Sequence, residues 1–139
     1  MDVFEFRRRG DATVDEETER LATAVIGAAI EVHRELGAGM PETSYRLSMC
    51  HELDLRGIPH QYEAPLTIFY KGKLVGERRL DILVADRLIL ELKAVDALLP
   101  VHRAQLLSYL QMKKLKLGLL INFNVPILKD GIRRVINPY

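Results

Sequence analysis

The chain has 139 residues, of which 48% are hydrophobic and 28% are charged, a balance that predicts one globular domain and excludes disorder throughout. The 20 basic and 19 acidic residues nearly cancel, so nucleic-acid binding would have to come from a local patch. The single cysteine, Cys50, cannot form an internal disulfide, and no apolar run approaches the length of a membrane span. These features favour a cytoplasmic protein that does not bind membranes.

A charged leader precedes two predicted helices. Residues 1–13 show no periodicity and are predicted to be a mobile leader, whereas residues 14–139 are predicted to form a single domain. From about Asp15 to Leu36, apolar residues recur every three or four positions, which is typical of one buried helix face. Two glycines predict the end of this helix. Pro41 predicts the start of the second helix, since proline suits the first helical turn.

The rest of the chain is predicted to contain strands and one further helix. Three strands come first, then a helix, then a nearly continuous apolar strand, and the last segment fits an edge strand. These segments are Leu66–Tyr70, Arg79–Val84, Leu88–Ala94, Pro100–Lys114, Leu117–Phe123 and Ile132–Ile136. Lys71-Gly72-Lys73 predicts a tight turn between the first two strands. This order of elements is typical of an α/β fold.

The most informative stretch is the hairpin that ends at Lys93. If its turn is centred on Asp86, residues whose numbers sum to about 172 face each other, and Asp81 lies opposite Glu91. Because side chains alternate along a strand, Asp81, Glu91 and Lys93 share one face. Six aliphatic residues are predicted to share the other face and to be core: Leu80, Ile82, Val84, Leu88, Leu90 and Leu92.

Asp81 and Glu91, placed opposite each other, would repel. Like charges directly opposite each other destabilise a sheet, here by about 3 kcal/mol at an effective dielectric of about 20. A divalent cation supplies a reason for the pair to persist, because Mg²⁺ is bound through one or two carboxylates plus water and phosphate oxygens. Lys93 would then lie beside the metal and the phosphate. The alternative is a solvent-facing salt-bridge cluster of Arg79, Asp81, Glu91 and Lys93, and the spacing alone does not separate the two.

Two motifs resemble those of a known family. Asp81, followed by Glu91-Leu92-Lys93 on the next strand, resembles the D…(D/E)xK signature of the PD-(D/E)XK nuclease superfamily. The stretch Gly39-Met40-Pro41-Glu42-Thr43-Ser44-Tyr45 matches the motif that names the GxxExxY protein family, a bacterial and archaeal branch of that superfamily. Pro41 departs from the leucine expected before the glutamate. The resemblance covers nearly everything after about residue 18.

The resemblance implies a restriction-endonuclease-like αβββαβ core, with a mixed central sheet flanked by helices. It also implies a divalent-metal phosphodiesterase site in which Asp81 and Glu91 bind Mg²⁺, with Mn²⁺ as a substitute. Lys93 would assist the attacking water, and Glu42 would complete the metal sphere from its helix. The alternative role for Glu42 is structural, because an acidic residue in the first turn of a helix interacts favourably with the helix dipole.

Two residues of the predicted third helix are further candidate site residues. Gln105 and Tyr109 are four positions apart and therefore share a helix face. They resemble the QxxxY element of RecB-like nucleases, which implies a place at the site. The alternative is that they form a polar edge on an otherwise apolar helix.

The function that we expect is metal-dependent hydrolysis of phosphodiester bonds in nucleic acid, with DNA as the expected substrate. The alternative is a non-catalytic module that binds nucleic acid or a protein partner on the same fold. The near-neutral charge, the small size and the lack of an obvious DNA-reading element favour this alternative. A homodimer, or an accessory subunit of a larger complex, is also compatible with so short a chain.

Overall fold

The computed structural model describes residues 14–139, so the leader predicted over residues 1–13 lies outside the described residues. Its helices and strands follow the predicted order. They are α1 (Glu16–Leu36), α2 (Glu42–Leu55), β1 (His60–Tyr70), β2 (Lys73–Val84), β3 (Leu88–Lys93), α3 (Pro100–Lys113), β4 (Leu117–Asn122) and, after a short 3₁₀ turn, β5 (Ile132–Ile136). The predicted αβββαβ arrangement is therefore confirmed.

In the described part of the chain, the five strands form a mixed sheet in the order β1-β2-β3-β4-β5. β3 and β4 are parallel and are connected through α3, whereas the other neighbouring strands are antiparallel. Helices α1 and α2 cover one face of the sheet, and α3 covers the other. β5 lies at an edge, as predicted. No helix within residues 14–139 is long and apolar enough to cross a membrane.

The first helix owes its limits to its two caps. The Asp15 side chain accepts a hydrogen bond from the backbone N–H of Thr18 at 2.7 Å, which satisfies one of the free donors of the first turn. The helix ends where Gly37 adopts φ 70°, a conformation that costs glycine little. Between these caps, its buried residues form the single stripe that the sequence predicted.

The connection from α1 to α2 is held by one tyrosine. Tyr45 is fully buried, and its hydroxyl donates to the carbonyl of Gly37 at 2.5 Å and accepts from the N–H of Met40 at 3.1 Å. Its ring stacks on Phe123 with the centroids 4.5 Å apart. These contacts fix where α2 begins, and therefore where Glu42 lies.

The β1–β2 hairpin is longer than predicted. Its two-residue turn is the expected one, with Lys71 at φ 48° and Gly72 at φ 83°, and positive φ at both positions suits the twist of a hairpin. However, β1 already begins at His60 and β2 at Lys73. The additional residues of β2, from Lys73 to Arg78, are exposed on both faces except for Gly76, so they lack the alternation that marks a strand in a sequence. The additional residues of β1, from His60 to Pro65, do alternate in burial.

The β2–β3 hairpin has the predicted register. Ile82 pairs with Leu90 and Val84 pairs with Leu88, which reproduces the sum of 172. The turn between them includes Asp86 at φ 55°. The predicted opposition of these two strands is therefore confirmed.

The prediction for the core face was wrong at Leu80. The other five residues predicted for this face pack against α1 and α2, whereas Leu80 packs in the cluster beneath α3, with Leu83 and Ile89. The physical reason is a kink in β1, where Glu63 adopts φ 52°. Glu63 and Asp81 do not pair, although their neighbours on both sides do. The alternation of faces along β2 thus breaks at Asp81.

Candidate active site

Asp81 and Glu91 meet where β2 and β3 separate. The regular pairing ends at Ile82 and Leu90, and beyond it each acidic side chain bonds to the backbone of the opposite strand. The Asp81 carboxylate accepts from the N–H of Leu92 at 2.7 Å, and the Glu91 carboxylate accepts from the N–H of Asp81 at 3.3 Å. These bonds hold the two carboxyl groups side by side.

The surroundings of this pair favour a single negative charge on it. Burial, the charge of Asp81 and a hydrogen bond between the two carboxyl groups raise the pKa of Glu91 to about 9, although the charge of Lys93 opposes the shift. Glu91 is only 7% exposed, and Arg79 donates instead to the carbonyl of Glu63 at 3.3 Å. The solvent-facing salt-bridge cluster, the alternative offered by the spacing, is therefore not what the structure contains.

Lys93 lies two residues beyond Glu91 and is half-buried. Its backbone is fixed by β4, because Lys93 pairs with Asn122 and its carbonyl accepts from the N–H of Phe123 at 2.9 Å. The Asn122 side chain also bonds both backbone groups of Val95, at 3.1 Å and 2.9 Å, which fixes the loop after Lys93. Since the charge of Lys93 lowers the pKa of Glu91, its ammonium acts on the acid pair.

Tyr109 approaches the acid pair from α3. Burial and the negative charges of Glu91 and Asp81 raise the pKa of Tyr109, while the positive charge of Arg78 acts in the opposite direction. Gln105 lies one helical turn earlier and is half-buried. The structure thus brings Tyr109 to the site and places Gln105 on the same side of α3.

Glu42 lies at the start of α2 and forms an ion pair of 2.7 Å with Arg46. Burial lowers the pKa of the Arg46 guanidinium, but a hydrogen bond with Tyr62 and the charges of Asp81 and Glu42 raise it above its usual value. Within residues 14–139, no group of three or more histidine, cysteine, aspartate or glutamate side chains is close enough to hold a metal ion. The structure therefore brings the two strand acids together, and Glu42 pairs with Arg46 beside them.

Arg46, Tyr62 and Arg78 were not among the predicted site residues. The contact between Arg46 and Glu42 could have been predicted from the sequence, because residues four positions apart meet on one face of a helix. The places of Tyr62 and Arg78 could not have been predicted, since they depend on the register between β1 and β2 and on the kink at Glu63.

The donor set suits a divalent cation. Mg²⁺ usually keeps several waters and is bound through one or two carboxylates together with substrate phosphates, so a pair of carboxylates is sufficient protein ligation. A cation at this position would offset the two main causes of the raised pKa of Glu91, which are burial and the negative charge of Asp81. The chemistry of Asp81 and Glu91 therefore fits such an ion.

Comparison with known proteins identifies a superfamily for this chain. A family model described as the PD-(D/E)XK nuclease superfamily matches residues 19–135. No curated protein and no solved structure matches the chain significantly. The matched region spans the acid pair, Lys93, both candidate residues of α3 and the mixed sheet that carries them. The chain therefore belongs to the PD-(D/E)XK nuclease superfamily.

Proposed function

We propose that this protein hydrolyses phosphodiester bonds in nucleic acid, with DNA as the substrate and Mg²⁺ as the cofactor, for which Mn²⁺ substitutes. The observation that carries the proposal is the pair of carboxylates of Asp81 and Glu91, held side by side by backbone hydrogen bonds. Stability alone gives no reason to keep two acids together at this position. Membership of a nuclease superfamily supports the same chemistry.

Each residue of the strand pair has a role in this proposal. Asp81 and Glu91 hold the cation, which when bound polarises the phosphate and lowers the pKa of a nucleophilic water. Lys93 orients that water, or neutralises the charge that develops on the phosphate oxygens. Glu42 is proposed as an additional metal ligand, which requires its ion pair with Arg46 to open.

Two residues of α3 complete the proposed site. The hydroxyl of Tyr109 is neutral near pH 7, since burial and the charge of Glu91 raise a pKa whose ordinary value is already about 10. It therefore acts as a hydrogen-bond donor to a phosphate oxygen and adds no negative charge. Gln105 offers an amide donor from the same side of the helix. Both residues are proposed to position the substrate phosphate rather than to hold the cation.

Within the superfamily, we assign the chain to the GxxExxY branch. Three observations support this assignment. Gly39 adopts φ 91°, a conformation that suits glycine. Glu42 lies at the start of α2, and Tyr45 holds the connection that precedes it.

A cleavage assay in Mg²⁺ tests the proposed function. We expect the wild-type protein to cleave labelled DNA in preference to RNA, and Asp81→Asn and Glu91→Gln to lose at least about 100-fold in rate, since a catalytic metal is worth several kcal/mol. Asp86→Asn is the matched control, because it makes the same chemical change in the exposed turn of the same hairpin. Wild-type rates for Asp81→Asn would contradict the proposal.

A non-catalytic binding module is the second candidate function. One observation favours it, namely that within residues 14–139 no third acidic, histidine or cysteine side chain joins the pair. The same assay separates the two candidates. A module would bind nucleic acid with a steep salt dependence but would cleave none of the substrates in Mg²⁺ or Mn²⁺.

A further inference from the structure

The outer part of the β1–β2 hairpin is accessible on both faces. From Thr67 to Arg79, every residue except Ile68 and Gly76 is exposed. Tyr70 is 63% exposed, although it pairs with Lys73 beside the turn. A large aromatic ring that a hydrogen-bonded hairpin holds in solvent is a candidate contact surface rather than part of the core.

One face of this hairpin continues the face that α3 covers. Leu66 packs beneath α3, and its cross-strand partner is Arg78. Alternate residues of β1 return to the same face, so Tyr70 lies on this face with Leu66. Lys73 shares it as the partner of Tyr70, beyond the register shift between Ile68 and Phe69. We call Tyr70, Lys73 and Arg78 the hairpin track.

The hairpin track leads to the acid pair. Arg78 lies three residues before Asp81, and its positive charge acts on Tyr109. From Lys73 to Asp81 is eight residues, which corresponds to about 27 Å of extended strand. A polymer bound along the track would therefore reach the carboxylates at the inner end of the same strand.

The charge of this hairpin differs from that of the whole chain. Residues 66–79 include four basic side chains and only one acidic one, a net charge of +3, whereas the entire protein carries +1. One of the four, Lys71, places its ammonium 5.4 Å from the centroid of the Tyr70 ring. Two of the four basic side chains, Lys71 and Lys73, thus lie next to the exposed aromatic ring, and the net positive charge of the segment suits a polyanion.

We propose that the hairpin track binds an unpaired nucleic-acid strand and guides it towards Asp81 and Glu91; this inference rests on the proposed function and extends it to the form of the substrate. Basic side chains that follow the phosphates, together with an aromatic ring on which a base stacks, are what sequence-independent single-strand binding requires. In an intact duplex the bases cover each other's faces, so Tyr70 would have no base to stack on.

The test is fluorescence anisotropy with a labelled oligothymidylate, in EDTA so that no cleavage occurs. We expect Tyr70→Ala to weaken binding at least about five-fold, because loss of base stacking has an effect of that size. Lys73→Ala and Arg78→Ala should each lower the salt slope, log K against log salt, by about 0.7, as expected for one lost phosphate contact on a single strand.

Arg79→Ala is the matched control, because it removes the same charge from the adjacent position on the opposite face. Arg79 pairs with Pro65, which is exposed, and the control should leave both the affinity and the slope unchanged. Circular dichroism of all four variants checks that each one folds.

The outcomes separate this inference from the proposed function. Loss of oligothymidylate binding in the track variants supports the inference, even if the wild type cleaves nothing in Mg²⁺. Equal affinities for Arg78→Ala, Tyr70→Ala and wild type would overturn it, even if cleavage is observed. The inference would also be overturned if the wild type bound a DNA duplex more tightly than the oligothymidylate and Tyr70→Ala did not weaken the binding of the duplex. A further result would also overturn the inference: track variants that differ from the wild type in sedimentation mass but bind the oligothymidylate equally well. The track would then join two copies of the chain.

Discussion

The two halves of β2 differ in almost every respect except their backbone pairing. From Leu80 to Val84 the strand is buried between α1, α2 and α3 apart from Asp81, whereas from Lys73 to Arg79 it is largely exposed. Both halves pair with β1. Asp81 lies just inside the boundary, so the acid pair is supported by the rigid core and also borders accessible surface.

The inner half should account for the stability of the fold. Ile82→Ala removes a fully buried side chain and should lower the free energy of unfolding by about 2–5 kcal/mol. Leu74→Ala changes a side chain of similar size that is 50% exposed in the outer half, and should cost less than about 1 kcal/mol. Urea denaturation measures both changes. Equal losses would show that the two halves are not energetically distinct.

The acid pair at the boundary should make the stability of the metal-free protein depend on pH. The pKa of Glu91 is raised to about 9, whereas an unfolded glutamate titrates near 4.3, so between these values the folded state holds a proton that the unfolded state has lost. The free energy of unfolding should therefore fall as pH rises through this window, by up to about 1.4 kcal/mol per pH unit. Urea titrations in EDTA between pH 5 and pH 8, in steps of about one unit, measure this slope.

Glu91→Gln sharpens the same measurement, because the amide keeps the shape of the side chain and cannot titrate. Its unfolding free energy should depend less steeply on pH than that of the wild type, whereas Asp86→Asn should follow the wild type. Parallel curves for wild type and Glu91→Gln would show that the pKa of Glu91 is not raised in the folded protein.

The inner hairpin is the region that could be predicted best from the sequence. Its turn is short, so a turn centred on Asp86 gave the register directly. Asp81 and Glu91 follow the last pair of this register and lie side by side. The first helix was equally predictable, because its apolar residues recur every three or four positions and Gly37 marks its end.

The kink and the tertiary contacts could not be predicted. The positive φ of Glu63 has no signature in the sequence, yet it moves Leu80 to the face of α3. The position of Arg46 between Glu42 and Asp81 depends on how α2 packs against the sheet. The outer hairpin was underestimated because strands exposed on both faces show no hydrophobic alternation.

The central claim is that Asp81 and Glu91 form a built cation site, and a calorimetric Mn²⁺ titration tests it without assuming a substrate. We predict saturable binding by the wild type and by Asp86→Asn, and its loss in Asp81→Asn. The titration is repeated with an oligothymidylate present, since Mg²⁺-type sites commonly use a phosphate oxygen as a ligand. Binding that is absent from the wild type under both conditions, or unchanged in Asp81→Asn, would contradict the claim.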